Sequence, residues 1–154
     1  MVEVSVVGIT LDGQNQPVVI LRADSRVLPI WIGTNEAFAI QSALKKAEMK
    51  RPLTHDLIVY ILKGFNSHAR HVHIYKLEDQ TYYANLVLVL KDETGADRQV
   101  IKIDCRPSDG IAIAVRMDCQ VYVDEEVMRK GGHDASFFEG EPDEELPGPD
   151  VIGE

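Results

Sequence analysis

Three interruptions of one kind shape this chain. At Gly33-Thr34-Asn35, Lys50-Arg51-Pro52-Leu53-Thr54 and Arg106-Pro107-Ser108-Asp109, an extended or irregular stretch gives way to a run with helical spacing. Ser, Thr, Asn and Asp side chains cap helix N-termini, which makes Thr34 or Asn35, Thr54 and Ser108 the expected caps. After the first break, Ala37, Ile40, Ala43, Leu44 and Ala47 recur at helical spacing within Glu36 to Glu48. After the second, Ile58, Ile61, Leu62 and Phe65 do so within His55 to Phe65. Gly110 to Met117 alternates as a strand would, but its cap and alanines favour a mostly buried helix. Elsewhere the chain reads as strands: Val2 to Val6, with period-two alternation, then Pro17 to Leu21, Val27 to Ile32, Val72 to Leu77, Thr81 to Leu90, Val100 to Asp104 and Val121 to Val123. Pro29 puts the third of these at an edge or bulge. Thr81 to Leu90 ends apolar on both faces and reads as a central strand. Asp124 to Lys130 is a short helix with acids first and bases last. Strands and helices out of strict βαβ order give an α+β fold. The expected architecture is a mixed, largely antiparallel sheet packed with three main helices in a single compact domain.

Charge separates this domain from the C-terminal segment. The 154 residues carry a net charge of −9. Residues 139–154 hold seven acids, three prolines and no Lys or Arg. Residues 1–138 hold 18 acids and 16 bases, a net of −2. The expected division is a domain over 1–135 and an acidic, Pro-rich disordered tail over 136–154. The tail is either solvated or a decoy that touches a basic groove. Dense Lys/Arg runs are lacking, so charge gives no support to an electrostatic clamp on nucleic acid. It does not exclude a phosphate substrate either. Two cysteines outside any C-x-x-C pair read as thiols in a reducing cytoplasm. No apolar run reaches a membrane span, and MVEVSVVGI has no basic leader region. The expected location is cytoplasmic, without a membrane partner.

The three breaks also concentrate reactive side chains. Helix N-termini attract anions, and a guanidinium holds phosphate through two parallel hydrogen bonds. Arg51, Arg106 and Ser108 therefore form a candidate phosphate-binding set; each Arg can equally pair with a local acid such as Asp56, Asp104 or Asp109. If the helix starts converge, Glu36, Asp56, Asp104 and Asp109 supply hard oxygen ligands for a divalent metal, Mg²⁺ or Mn²⁺. Such an ion activates water and stabilises charge in phosphodiester cleavage. Taken singly, each acid also suits a cap or a helix dipole. His55 has the pKa range for proton transfer or can pack locally. His71 and His73 share a strand face and could hold a transition metal, though no third ligand is fixed. The common nucleotide-binding and hydrolase motifs are absent.

Several segments together are more specific: Pro29-Ile30-Trp31-Ile32-Gly33, Glu36-Ala37, Arg51-Pro52-Leu53-Thr54-His55-Asp56-Leu57, Thr81-Tyr82-Tyr83-Ala84 and Ile103-Asp104-Cys105-Arg106-Pro107-Ser108-Asp109-Gly110-Ile111-Ala112. In this order they resemble the bifunctional nuclease domain family over roughly residues 1–135. The resemblance implies a compact α+β domain that cleaves both RNA and DNA. Glu36, Arg51, Pro52, His55, Asp56, Tyr83, Asp104, Arg106, Pro107, Ser108 and Asp109 fall on the family pattern. Gly110 departs from it, since alanine often follows the Pro-Ser-Asp triplet; the expected effect is on helix stability alone.

The leading expectation is a metal-assisted nuclease acting on RNA or DNA. His55, Asp56, Asp109 and Glu36 are its catalytic candidates, Arg51, Arg106 and Ser108 hold phosphate, and Glu36, Asp104 and Asp109 hold metal. The rival is a non-catalytic ligand- or partner-binding regulatory module in which the Arg-Pro segments only start helices. In a third reading a homo-oligomer completes the site, because apolar strand faces can exceed what one side of a sheet covers.

Overall fold

The computed structural model describes residues 1–138. The acidic segment 139–154 lies outside the described residues. Strands β1 (Val2–Leu11), β2 (Pro17–Ala23) and β3 (Arg26–Trp31) lead into helices α1 (Thr34–Leu44) and α2 (Thr54–Gly64). Strands β4 (Ser67–Glu78), β5 (Thr81–Lys91) and β6 (Asp97–Cys105) come next, then α3 (Pro107–Met117), β7 (Gln120–Val123), α4 (Glu125–Gly131) and β8 (His133–Asp134). A 3-10 turn over Ala135–Phe138 carries regular structure past the boundary expected at 135.

The eight strands of the described residues form one sheet, in the order β6-β5-β4-β7-β1-β2-β3-β8. Among the described residues only β4 and β7 run parallel; every other pair is antiparallel. The fold is α+β, as the order of elements implied. β5 is flanked on both sides, as its apolar run required. Pro29 pairs with Ile20 on β2, while β8 reaches only Arg26 and Val27, so the proline faces an open edge where its missing N–H costs nothing.

The helices cover one face of the sheet. α3 packs between α1 and α2 and lies over β4 and β5, while α1 lies over β1 and β2. Their shared core includes Ile9, Leu21, Leu28, Ile40, Val72, Ile74 and Ile111, each about fully buried. Gly110–Met117, ambiguous by period, is helical because every residue from Gly110 to Ala114 is buried against both sheet and helices. Gly110 sets that approach: a Cβ there would meet Val72 Cγ1 at 2.8 Å and Cys105 Sγ at 3.3 Å. Its role is therefore close helix–sheet packing, not helix stability alone. Helix α1 stops at Leu44 rather than Glu48 because Lys46 turns left-handed (φ 51°). Ala47 N–H then bonds Ser42 O and Lys46 N–H bonds Ala43 O, a Schellman end.

Candidate active site at three helix N-termini

The three long helices start alike, and not with the expected side-chain caps. Gly33, Leu53 and Arg106 are the N-cap residues, each with extended backbone and no side-chain cap bond. Thr34 and Thr54 are first-turn residues instead of caps, and so is Ser108, which comes after Pro107. Proline suits the first helical position, where its missing N–H would have had no partner. The shift places Glu36, Asp56 and Asp109 all at the third helical position, facing the unpaired N–H groups and the positive end of the dipole. Asp56 Oδ2 accepts the Leu53 N–H at 2.8 Å. Glu36 folds back over Gly33 so closely that any Cβ there would collide with its carboxylate.

Two of the three acids converge on one guanidinium. Arg106 Nε donates to Asp109 Oδ2 at 2.9 Å, Nη2 to Oδ1 at 3.3 Å, and Nη1 to Glu36 Oε1 at 3.1 Å. His55 Nε2 lies 2.8 Å from Asp109 Oδ1, with the imidazole only 12% exposed. Burial opposes ionisation of Asp109, but hydrogen bonds from Arg106 and His55 outweigh it and hold the carboxyl below its ordinary range. An ionised carboxylate only accepts, so Nε2 carries the proton and Nδ1 is the basic nitrogen of His55. The Asp109 hydrogen bond, followed by Glu36, raises the Arg106 pKa above its usual value. Glu36, His55, Arg106 and Asp109 line one open cleft of about 510 Å³, together with Asn35, Phe38, Leu53 and Ile58. A second cleft, of about 410 Å³, shares Glu36 and Arg106 and is lined by Ser108, Gln80 and Thr81 among others.

The remaining candidates lie elsewhere. Asp56 turns from the cleft towards Arg116, whose Nε donates to Oδ1 at 2.8 Å. Arg116 is nearly buried and also donates to the carbonyls of Ala39 and Ala112. Asp56 therefore ties α2 to α3 and α1. Arg51 is exposed, lines neither cleft and forms no ion pair among the described residues. Asp104 is exposed on β6, opposite Asn85. Tyr83 contacts Tyr75, with ring centroids 6.4 Å apart, and its ring lies under Lys76. His73 Nε2 is 2.6 Å from Asp124 Oδ1, and His71 stands edge-on to Tyr122. Among the described residues no three His, Cys, Asp or Glu side chains gather in metal-binding geometry. Glu36 and Asp109 remain as two carboxylates on one cleft, which matches how Mg²⁺ is usually held, by one or two carboxylates plus waters and substrate phosphates. Arg106 occupies the same oxygens, so ion and guanidinium compete there.

Phe38, Leu53 and Ile58 were absent from the expected site because their apolar side chains carry no chemical signature. Arg116 was missed because its partner is 60 residues away in the chain.

The comparisons bear on what such a cleft does. The family model described as the bifunctional nuclease domain matches residues 18–136. An uncharacterized protein of Mycobacterium tuberculosis is 43% identical over 135 residues, 86% of this chain and 77% of its own length. Bifunctional nuclease 2 of Oryza sativa subsp. japonica is 27% identical over 111 residues, 70% of this chain but 33% of the plant protein. Bifunctional nuclease 1 of the same plant is 24% identical over 106 residues, 69% of this chain and 31% of its own length. Most of the described fold, including every residue of the Arg106 network, falls within the matched span, and the chain belongs to the bifunctional nuclease domain family.

Proposed function

We propose that the protein is a nuclease that hydrolyses phosphodiester bonds in RNA and DNA at the Arg106 cleft. One observation carries the reading: His55, Asp109, Arg106 and Glu36 form a single hydrogen-bonded chain on one open cleft. Arg106 is the phosphate-binding group. The Arg106 side chain is 65% exposed, so a substrate oxygen can approach it while Glu36 and Asp109 fix the plane of its guanidinium. His55 takes the proton from the attacking water through Nδ1, and Asp109 fixes its tautomer and ring orientation. The water oxygen bonds to phosphorus as the bridging oxygen leaves with the electron pair. Pre-set charge opposite the phosphate is the main source of rate enhancement at such a site. Glu36 and Asp109 are the residues that would hold Mg²⁺ or Mn²⁺ with Arg106 displaced from their oxygens, and the ion would then supply charge stabilisation in its place and a more acidic water. Two free thiols, Cys105 and Cys119, suit work in the reducing cytoplasm.

The test uses the purified full chain with RNA and single-stranded DNA, with Mg²⁺, with Mn²⁺ and with chelator. His55→Ala and Asp109→Asn are expected to lose at least about 100-fold in rate, in line with removal of a proton-transfer group. Cleavage unchanged in both variants would identify a contaminating nuclease and end the proposal. Cleavage that survives chelation would remove the metal from it. The alternative, a non-catalytic binding module, draws on the fact that both cleft acids are already paired with Arg106. It predicts nucleotide binding without turnover.

A further inference from the structure

Arg106 stands where two clefts meet. The His55 cleft and the second cleft have two lining residues in common, Glu36 and Arg106. At about 510 and 410 Å³, each is of the size that holds one small ligand. Their walls differ. Phe38, Leu53 and Ile58 give the first an apolar side, whereas Ser108, Gln80 and Thr81 give the second hydrogen-bonding groups. Bases in a duplex are stacked and paired. Two adjacent bases enter separate clefts only if the strand is single and its bases are splayed apart.

Gln80 lines the second cleft at a conformational cost. Asp79 and Gln80 form the two-residue turn between β4 and β5, with Glu78 paired to Thr81. Both turn residues are left-handed, at φ 49° and 64°. Such a turn favours Asn followed by Gly. Glycine in place of Gln80 would relieve the strain. Glutamine keeps it, and adds an amide that donates and accepts at once, as the edge of a base does. Backbone strain of this kind gathers at ligand sites.

Charge outside the clefts favours a strand over a mononucleotide. Arg106 is one cation already shared by two carboxylates, so a polyanion needs others. Residues 45–51, which lead from α1 into α2, hold four bases and one acid, while the rest of residues 1–138 holds 12 bases and 17 acids. Lys45, Lys46, Lys50 and Arg51 are all exposed and form no ion pair among the described residues. Arg51 comes two residues before Leu53, which lines the first cleft, so a strand leaving that cleft meets Arg51 and Lys50 at its next phosphates.

We propose that a single strand of RNA or DNA lies across Arg106, with one phosphate on its guanidinium, the two flanking nucleotides in the two clefts and the next phosphates on Lys50 and Arg51. That this phosphate is the one cleaved rests on the nuclease reading; the path of the strand is tested by binding alone. The full chain carrying His55→Ala is used, so that cleavage does not consume the probe. The dinucleoside monophosphate TpT is titrated by NMR, and fluorescein-labelled dT12 by anisotropy. TpT is expected to shift backbone amides in both clefts, at Phe38 and Leu53 and at Gln80 and Thr81. Gln80→Gly weakens TpT about five- to tenfold, the loss of one or two hydrogen bonds, with Tm unchanged or raised. Lys50→Ser combined with Arg51→Ser leaves TpT binding as it was. It weakens dT12 and lowers the salt slope by about 1.4, at about 0.7 for each phosphate contact. A 12-base-pair hairpin binds at least about tenfold more weakly than dT12. Shifts confined to one cleft, a hairpin bound as tightly as dT12, or either variant without effect on its own probe would each overturn the proposal. A wild-type chain that binds in this pattern without cleaving would end the nuclease reading and leave the strand path standing.

Discussion

Asp56 tests the difference between a residue that matches a family pattern and one that does chemistry. Asp56→Asn keeps the size of the side chain and its acceptor for the Leu53 N–H, but leaves Arg116 without a counter-charge. The Arg116 side chain is 9% exposed and that of Asp56 29%. Breaking a fully buried pair costs about 3–5 kcal/mol. Here Asp56 keeps some water, and Arg116 keeps its bonds to Ala39 and Ala112. The expected loss is therefore about 2 kcal/mol, which at about 2–4 °C per kcal/mol lowers Tm by roughly 4–8 °C. Burial works against the Asp56 anion, but the Arg116 hydrogen bond and the Leu53 N–H prevail and hold its pKa below the usual range. A depressed carboxylate pKa stabilises the fold fully above the unfolded value of about 4 and loses that contribution as pH falls through the folded one. The gap between wild type and variant is thus widest near neutrality and closes in acid. Calorimetry across pH measures it, and cleavage is assayed well below both melting temperatures, where the variant keeps wild-type activity. A variant that melts like wild type but has lost cleavage would refute this assignment and return Asp56 to the catalytic set.

Two further substitutions probe the packing and the ends of the helices. Gly110→Ala gains about 1 kcal/mol of helix propensity but forces a methyl onto the stiff Val72 side chain, a conflict worth about 1–3 kcal/mol. The net is a fall in Tm, and Val72→Ala in the same chain is expected to show favourable coupling with it in a double-mutant cycle. Lys46→Gly relieves a left-handed side-chain conformation at the end of α1 and raises stability by about 0.5 kcal/mol by denaturant titration, the gain being reduced by glycine's freer unfolded chain.

What was legible in the sequence came from local physics. Period-two and helical spacing located the strands and the three main helices, because one-sided burial imposes those periods on the residues themselves. The ends of elements were less legible. Lys46 ends α1 in a conformation glycine usually supplies, and Thr34, Thr54 and Ser108 have cap chemistry without being caps. At the site, Glu36, His55, Arg106 and Asp109 were identifiable by residue type and position at helix starts. Which acid would face the cleft was not. Glu36, Asp56 and Asp109 occupy the same helical position, and only the packing of Arg116 beneath α2 diverts Asp56. Such long-range pairing leaves no periodic trace, as Asp104 also illustrates by lying on an exposed edge strand.

The short strand β7 has a consequence for how the molecule is made. Its four residues alone join two antiparallel halves, β1-β2-β3 and β4-β5-β6, by pairing with β1 on one side and β4 on the other. A ribosome extends the chain from the N-terminus, so both halves emerge with β1 and β4 exposed before Gln120–Val123 is available to close the seam. Unpaired strands of that kind are where nascent chains misassociate. Arg106 and Asp109 ride on α3, the helix that immediately precedes β7. The seam and the Arg106 network are therefore completed within the same few residues of synthesis, and a chain cut short before them has neither a continuous sheet nor a charged cleft.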